Sequence, residues 1–130
     1  MFGNSELYAL LNTSSVTDLL DSRSKTDTAK ALIADSVIPS AWTAVKVINY
    51  YMTSPVNLGD AVRGYIYTIN CRAATQYQAG VIASAVAKAL HRVSFSGGII
   101  KCVLKASIPP ADSTDTYNHP VEATVTIREE

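Results

Sequence analysis

At 130 residues, with 48% hydrophobic and 17% charged side chains and a formal net charge of zero, the chain has the length of one domain and enough apolar matter for a core. Zero net charge without a Lys/Arg run argues against tight nucleic-acid binding. No run reaches the ~18 apolar residues of a membrane span, and two cysteines, Cys71 and Cys102, argue against a disulfide-built secreted domain. Met1 to Leu11 has no basic start and no continuous apolar stretch, so no signal peptide is expected and the protein is expected in a cytosol.

In chain order, Asn4 to Leu11 reads as a short helix with Leu7, Leu10 and Leu11 on its apolar side. Val16 to Leu20 reads as a second helical turn, capped by Ser15. Asp21 to Thr28 is an expected exposed loop, and Ala29 to Asp35 another helical turn that Pro39 ends. Ala41 to Met52 is rich in Val, Ile and aromatic residues and predicts a strand. Thr53 to Asp60, with Pro55 and Gly59, predicts a hairpin connection or a protruding loop, Pro55 keeping it from extending the sheet.

Tyr65 to Arg72 alternates: Tyr65, Tyr67, Ile69 and Cys71 point one way, Ile66, Thr68, Asn70 and Arg72 the other. That is the period of a half-buried strand, starting near Val62. Thr75 is placed to cap a helix reaching about Arg92. Ala79, Ile82, Val86, Leu90 and Val93 share one face of that helix, and Gly97-Gly98 is the expected stop. Ile99 to Ile108 predicts a third strand with Ile100, Cys102, Leu104 and Ala106 on the buried face. Pro109-Pro110 ends it, and Ala111 to His119 is an expected polar loop. Val121 to Arg128 gives the cleanest strand period in the chain. The sum is one α+β domain over residues 1–130: a mostly antiparallel four-stranded sheet with one long helix packed on one face, and short N-terminal helices.

Catalytic chemistry is hard to find in this sequence. His91 and His119 have no partner at ligand spacing, and both cysteines fall on apolar strand faces, so no metal, cofactor or enzyme activity is expected. There is no nucleophile elbow, phosphate loop or dinucleotide fingerprint. From Ser36 to Ile108 the only acid is Asp60, against Lys46, Arg63, Arg72, Lys88, Arg92, Lys101 and Lys105; the other acids lie toward the two ends. A basic middle between acidic ends suits copies that meet head to side. Trp42, the single tryptophan, is a candidate for the core or for an interface anchor.

Taken as a whole, the pattern resembles the tail-terminator (tail-completion, head-to-tail joining) family of long-tailed bacteriophages. The resemblance is carried by Leu7-Tyr8-Ala9-Leu10-Leu11, then Val16-Thr17-Asp18-Leu19-Leu20-Asp21-Ser22-Arg23, then Val37-Ile38-Pro39. It continues in Tyr65 to Arg72 with the helix from Thr75 to Leu90, and in Asp112-Ser113-Thr114-Asp115-Thr116-Tyr117-Asn118-His119 before the last strand. It implies a structural virion protein without an active site. Such a protein is assembled in the host cytoplasm and sits at the head-proximal end of the tail. It forms a homo-oligomeric, hexameric ring that caps the tail tube, ends elongation and meets the head connector. The implied partners are the tail tube protein, a head completion or connector protein and further copies of itself, with DNA passing through the lumen without specific binding and no membrane. On this reading Arg63, Arg72, Lys101, Lys105 and Trp42 are candidate subunit-interface residues. Pro55, Asn57 and Asp60 in one loop, and Asp112, Asp115 and Tyr117 in the other, are candidate tube or connector contacts. Two alternatives stay open: a small ferredoxin-like α+β ligand- or partner-binding module, and a head-closure or neck protein of the same virion region.

Overall fold

In the computed structural model, residues 4–59, 62–95, 98–109 and 116–128 are described. The elements in order are α1 (Asn4–Leu11), α2 (Ser14–Thr17), β1 (Leu32–Ile33), β2 (Val47–Gly59), β3 (Val62–Ala73), α3 (Gln76–Leu90), β4 (Ser94–Phe95), β5 (Gly98–Leu104) and β6 (Tyr117–Arg128). The class is α+β, with one mixed sheet in the order β1-β2-β3-β6-β5-β4.

The alternation of β3 and β6 decides the layering. Their registers join Tyr67 to Ala123 and Ile69 to Val121, and all four side chains are buried. Against them lies the apolar face of α3: Ala79, Ile82, Ala83, Val86 and Leu90. Thr75 caps α3 as expected, its Oγ1 accepting from Gln78 N at 3.2 Å. Tyr50 pairs with Ile69 and so points to the same side, where its hydroxyl donates to Asn4 O at 3.1 Å. That bond places α1 beside α3, and Leu7, Leu11, Val16 and Leu20 complete the core. Full burial of each such side chain is worth about 1.5–3 kcal/mol, so the core rather than helix propensity holds these short N-terminal helices.

Several expectations are corrected. The sheet is not four antiparallel strands alone: two-residue strands flank it, and β1 pairs parallel with β2 through Leu32 and Ile48. Leu32 and Ile33, expected in a helical turn, are therefore extended; Ile48 N donates to Ala31 O at 2.9 Å, and Leu32 is buried. The strand expected from Ala41 starts at Val47, because the segment before it is bonded to Asp21 and Arg23. The second helical turn is Ser14–Thr17 behind Thr13, without a side-chain cap bond.

The loop expected at Thr53–Asp60 is strand as far as Gly59. Pro55 pairs with Tyr65 and Asn57 with Arg63, with register shifts between Met52 and Ser54 and between Asn57 and Gly59. Beyond Asn49 no described strand lies on the other side of β2, so a proline without an N–H is tolerated there. Helix α3 ends at Leu90 rather than at the glycines, with Arg92 in the left-handed region at φ 64°. β5 stops at Leu104, and Leu104 and Ala106 are exposed rather than buried. β6 begins at Tyr117, so Tyr117 and His119 belong to a strand and not to the loop.

Candidate functional site

The sheet face opposite α3 carries a polar corner. Asn49 and Asn70 are cross-strand partners and both are buried. Asn49 Oδ1 accepts from Arg72 Nε at 3.2 Å, and its Nδ2 donates to the carbonyls of Asp35 at 3.1 Å and Ser36 at 3.5 Å. Asn118, the register partner of Arg72, donates from Nδ2 to Asn70 Oδ1 at 2.9 Å. Each amide thus answers a neighbouring group that burial would otherwise leave costly. Asn118 Oδ1, Ser107 Oγ and His119 Nε2 are buried without a partner among the described residues. All three lie where the segment after β5 meets the start of β6.

A second cluster holds the long connection before β2. Asp21 Oδ2 accepts from Val45 N at 3.1 Å and Lys46 N at 3.0 Å, and Lys46 Nζ stands 3.6 Å from Oδ1. Partial desolvation pushes the Asp21 carboxyl up, but these N–H donors and the Lys46 ammonium outweigh it and hold the group below its ordinary value. Arg23 gives Nε to Lys30 O and Nη2 to Leu32 O, and its guanidinium lies 4.9 Å from the centroid of the Trp42 ring. Trp42 is therefore stacked within its own chain and half-buried.

The third cluster is the outer edge of β5. His91, the residue after α3, accepts the backbone N–H of Cys102 on Nδ1 at 3.1 Å, which requires the tautomer protonated at Nε2. Exposed Lys88, Arg92, Lys101 and Lys105 surround this edge, and Lys105 Nζ stands 3.4 Å from Glu122 Oε2.

The expected interface residues are thus divided. Arg72 and Lys101 belong to the face away from α3, whereas Arg63 alternates onto the other face. Lys105 already has an acid in its own chain. Tyr117 packs half-buried against the core. Pro55 and Asn57 lie in β2, and Asp60, Asp112 and Asp115 lie outside the described residues. Sequence reading missed the Asp21 and Arg23 hubs and the His91 bond. The only local hint was a helix ending in Lys88 and His91 without a glycine directly after it.

Chemically the described residues offer little. No group of three or more His, Cys, Asp or Glu side chains is placed to hold a metal among them. Both thiols are free, and they sit on β3 and β5, which β6 separates. Burial pushes the Cys71 thiol far up and that of Cys102 up to about 11, the reverse of what activates a nucleophile. An open groove of about 450 Å³ runs along α3, lined by Gln76, Tyr77, Gly80, Val81, Ser84 and His119. No helix among the described residues is long and apolar enough to cross a membrane. The chain matches no family model and no curated protein.

Proposed function

We propose that the chain is a structural virion protein of the tail-terminator kind, whose ring caps the phage tail tube, ends elongation and provides the interface to the head connector. The observation that carries this reading is the coincidence of the resemblance with folded units. Leu7 to Leu11 lies at the end of α1, Arg23 lies in the connection from α2 to β1, Ile38-Pro39 lies in the connection to β2, and Tyr65 to Arg72 is the strand that leads into α3. Thiols buried in apolar surroundings, with their ionisation pushed up, fit a protein that works through surfaces. Ring closure on this reading is a head-to-tail contact between different patches of successive copies, with the exposed Lys101 the first candidate to meet an acid of the next copy.

Light scattering of the purified protein over a concentration series, with negative-stain images, tests this directly. A closed ring of about six copies is expected, and Lys101→Glu is expected to weaken it. A protein that stays monomeric and also fails to bind the tips of unfinished tails would sink the proposal. The groove along α3 is what favours the second reading, a small partner-binding module. A single central helix between two hairpins departs, however, from the ferredoxin-like β-α-β-β-α-β order.

A further inference from the structure

Among the described residues, backbone groups without a backbone partner, exposed apolar side chains and cations without an ion pair coincide at the outer edge of β5. Ile100 uses its edge-facing groups on the turn after α3: Arg92 N donates to Ile100 O at 2.8 Å and Ile100 N to Val93 O at 3.0 Å. Cys102 N donates to His91 Nδ1. Lys101 and Val103 face β6, as does Lys105, whose N–H donates to Pro120 O at 2.9 Å. By the strand period of two, the C=O of Cys102 and both backbone groups of Leu104 point outward, and they have no backbone partner among the described residues. Val103 is 55% exposed, Leu104 46% and Ile108 52%.

The charges around this edge share one sign. Lys88 lies one helical turn before His91, and Arg92 follows it; Lys101 is on the strand itself. None of these three cations has an ion-pair partner among the described residues. The opposite edge of the sheet is guarded instead. There β2 carries two register shifts, a proline and the short β1, which are the devices that stop strand addition.

We propose that the β5 edge from Cys102 to Leu104 is a docking site for an extended, acidic segment of a partner polypeptide, added as a further strand. Unpaired edge N–H and C=O groups select a backbone, the apolar side chains beside them select alternating apolar residues, and Lys88, Arg92 and Lys101 select carboxylates. The inference holds whether or not the protein forms a ring.

The test is a titration of the isotope-labelled full chain with an acetylated, amidated peptide alternating valine and glutamate, followed by amide NMR. Shifts confined to Cys102–Ala106 and the His91–Arg92 turn are expected, with slowed exchange of the Leu104 N–H. Leu104→Pro removes the outward N–H but no bond to β6, and is expected to abolish binding. The same peptide N-methylated at alternate residues is expected to fail against the unaltered protein, which keeps the test sound if the proline variant folds poorly. Lys88→Glu with Lys101→Glu is expected to weaken binding about tenfold. Absence of shifts at millimolar peptide overturns the proposal, as does equal binding of the N-methylated peptide or of one with lysine in place of glutamate.

Discussion

Replacing Asp21 by alanine tests how the connection before β2 is held. The carboxylate accepts two backbone N–H groups, from Val45 and Lys46, and has the Lys46 ammonium nearby. A hydrogen bond to a charged acceptor is worth about 1.5–3 kcal/mol when well shielded. Asp21 has 37% of its side-chain surface open to solvent, so water replaces part of each bond and about 1 kcal/mol apiece is the fitting figure. Asp21→Ala should therefore cost about 2 kcal/mol in urea unfolding, seen as a lower midpoint at unchanged slope. Asp21→Asn keeps an accepting oxygen but loses the charge, and should cost about half as much. The folded carboxyl titrates below its ordinary value. Its contribution is thus complete above the unfolded value of about 3.9 and is lost as pH falls through the lower folded value. The gap between wild type and Asp21→Asn should accordingly narrow in acid below about pH 4. If Asp21→Ala unfolds at the wild-type midpoint, or the gap widens in acid, the carboxylate does not hold the connection.

Two further substitutions probe α3 and the turn after it. Gly80 lies inside the helix, where a Cβ would meet His119 Nδ1 at 3.7 Å, an ordinary contact. Gly80→Ala should therefore stabilise by about 0.8–1 kcal/mol, a rise of about 3 °C in melting temperature by calorimetry; a fall would mean that His119 cannot accommodate the methyl group. Arg92 has positive φ without being glycine, so Arg92→Gly should relieve about 1 kcal/mol of backbone strain, less the greater chain entropy of unfolded glycine. A net gain under about 1 kcal/mol is expected in urea unfolding, and a clear loss would show that Arg92's side chain supports the turn.

The middle of the fold was legible because each central residue carries its own instruction. Tyr67, Ile69 and Cys71 alternate, Ala79, Ile82, Val86 and Leu90 recur at helical spacing, and the structure buries both sets together. What the sequence concealed depends on partners distant along the chain. Pro55, Asn57 and Gly59 are turn formers by preference, yet β3 pairs with each of them and draws the stretch into the sheet. Leu32 and Ile33 are too few to show any period, and only Ile48 beside them makes them a strand. The candidate site was less legible still. Nothing local links Arg23 to Trp42 or His91 to Cys102, and a charge count cannot tell Lys101 from Lys105, which is neutralised by Glu122 across the strand.

The central β3–β6 seam bears on how fast the chain can fold. The hairpins β2–β3 and β5–β6 join neighbours in sequence, the second across residues 105–116, whereas the seam joins residues as distant as Val62 and Arg128. Its loop-closure entropy has to be met before the paired strands reward it. Two preformed hairpins meeting across α3 make that late seam the expected rate-limiting event. Mutations at Ile69 or Val121 should then slow folding, and mutations in α1, which lies outside the seam, should mainly speed unfolding.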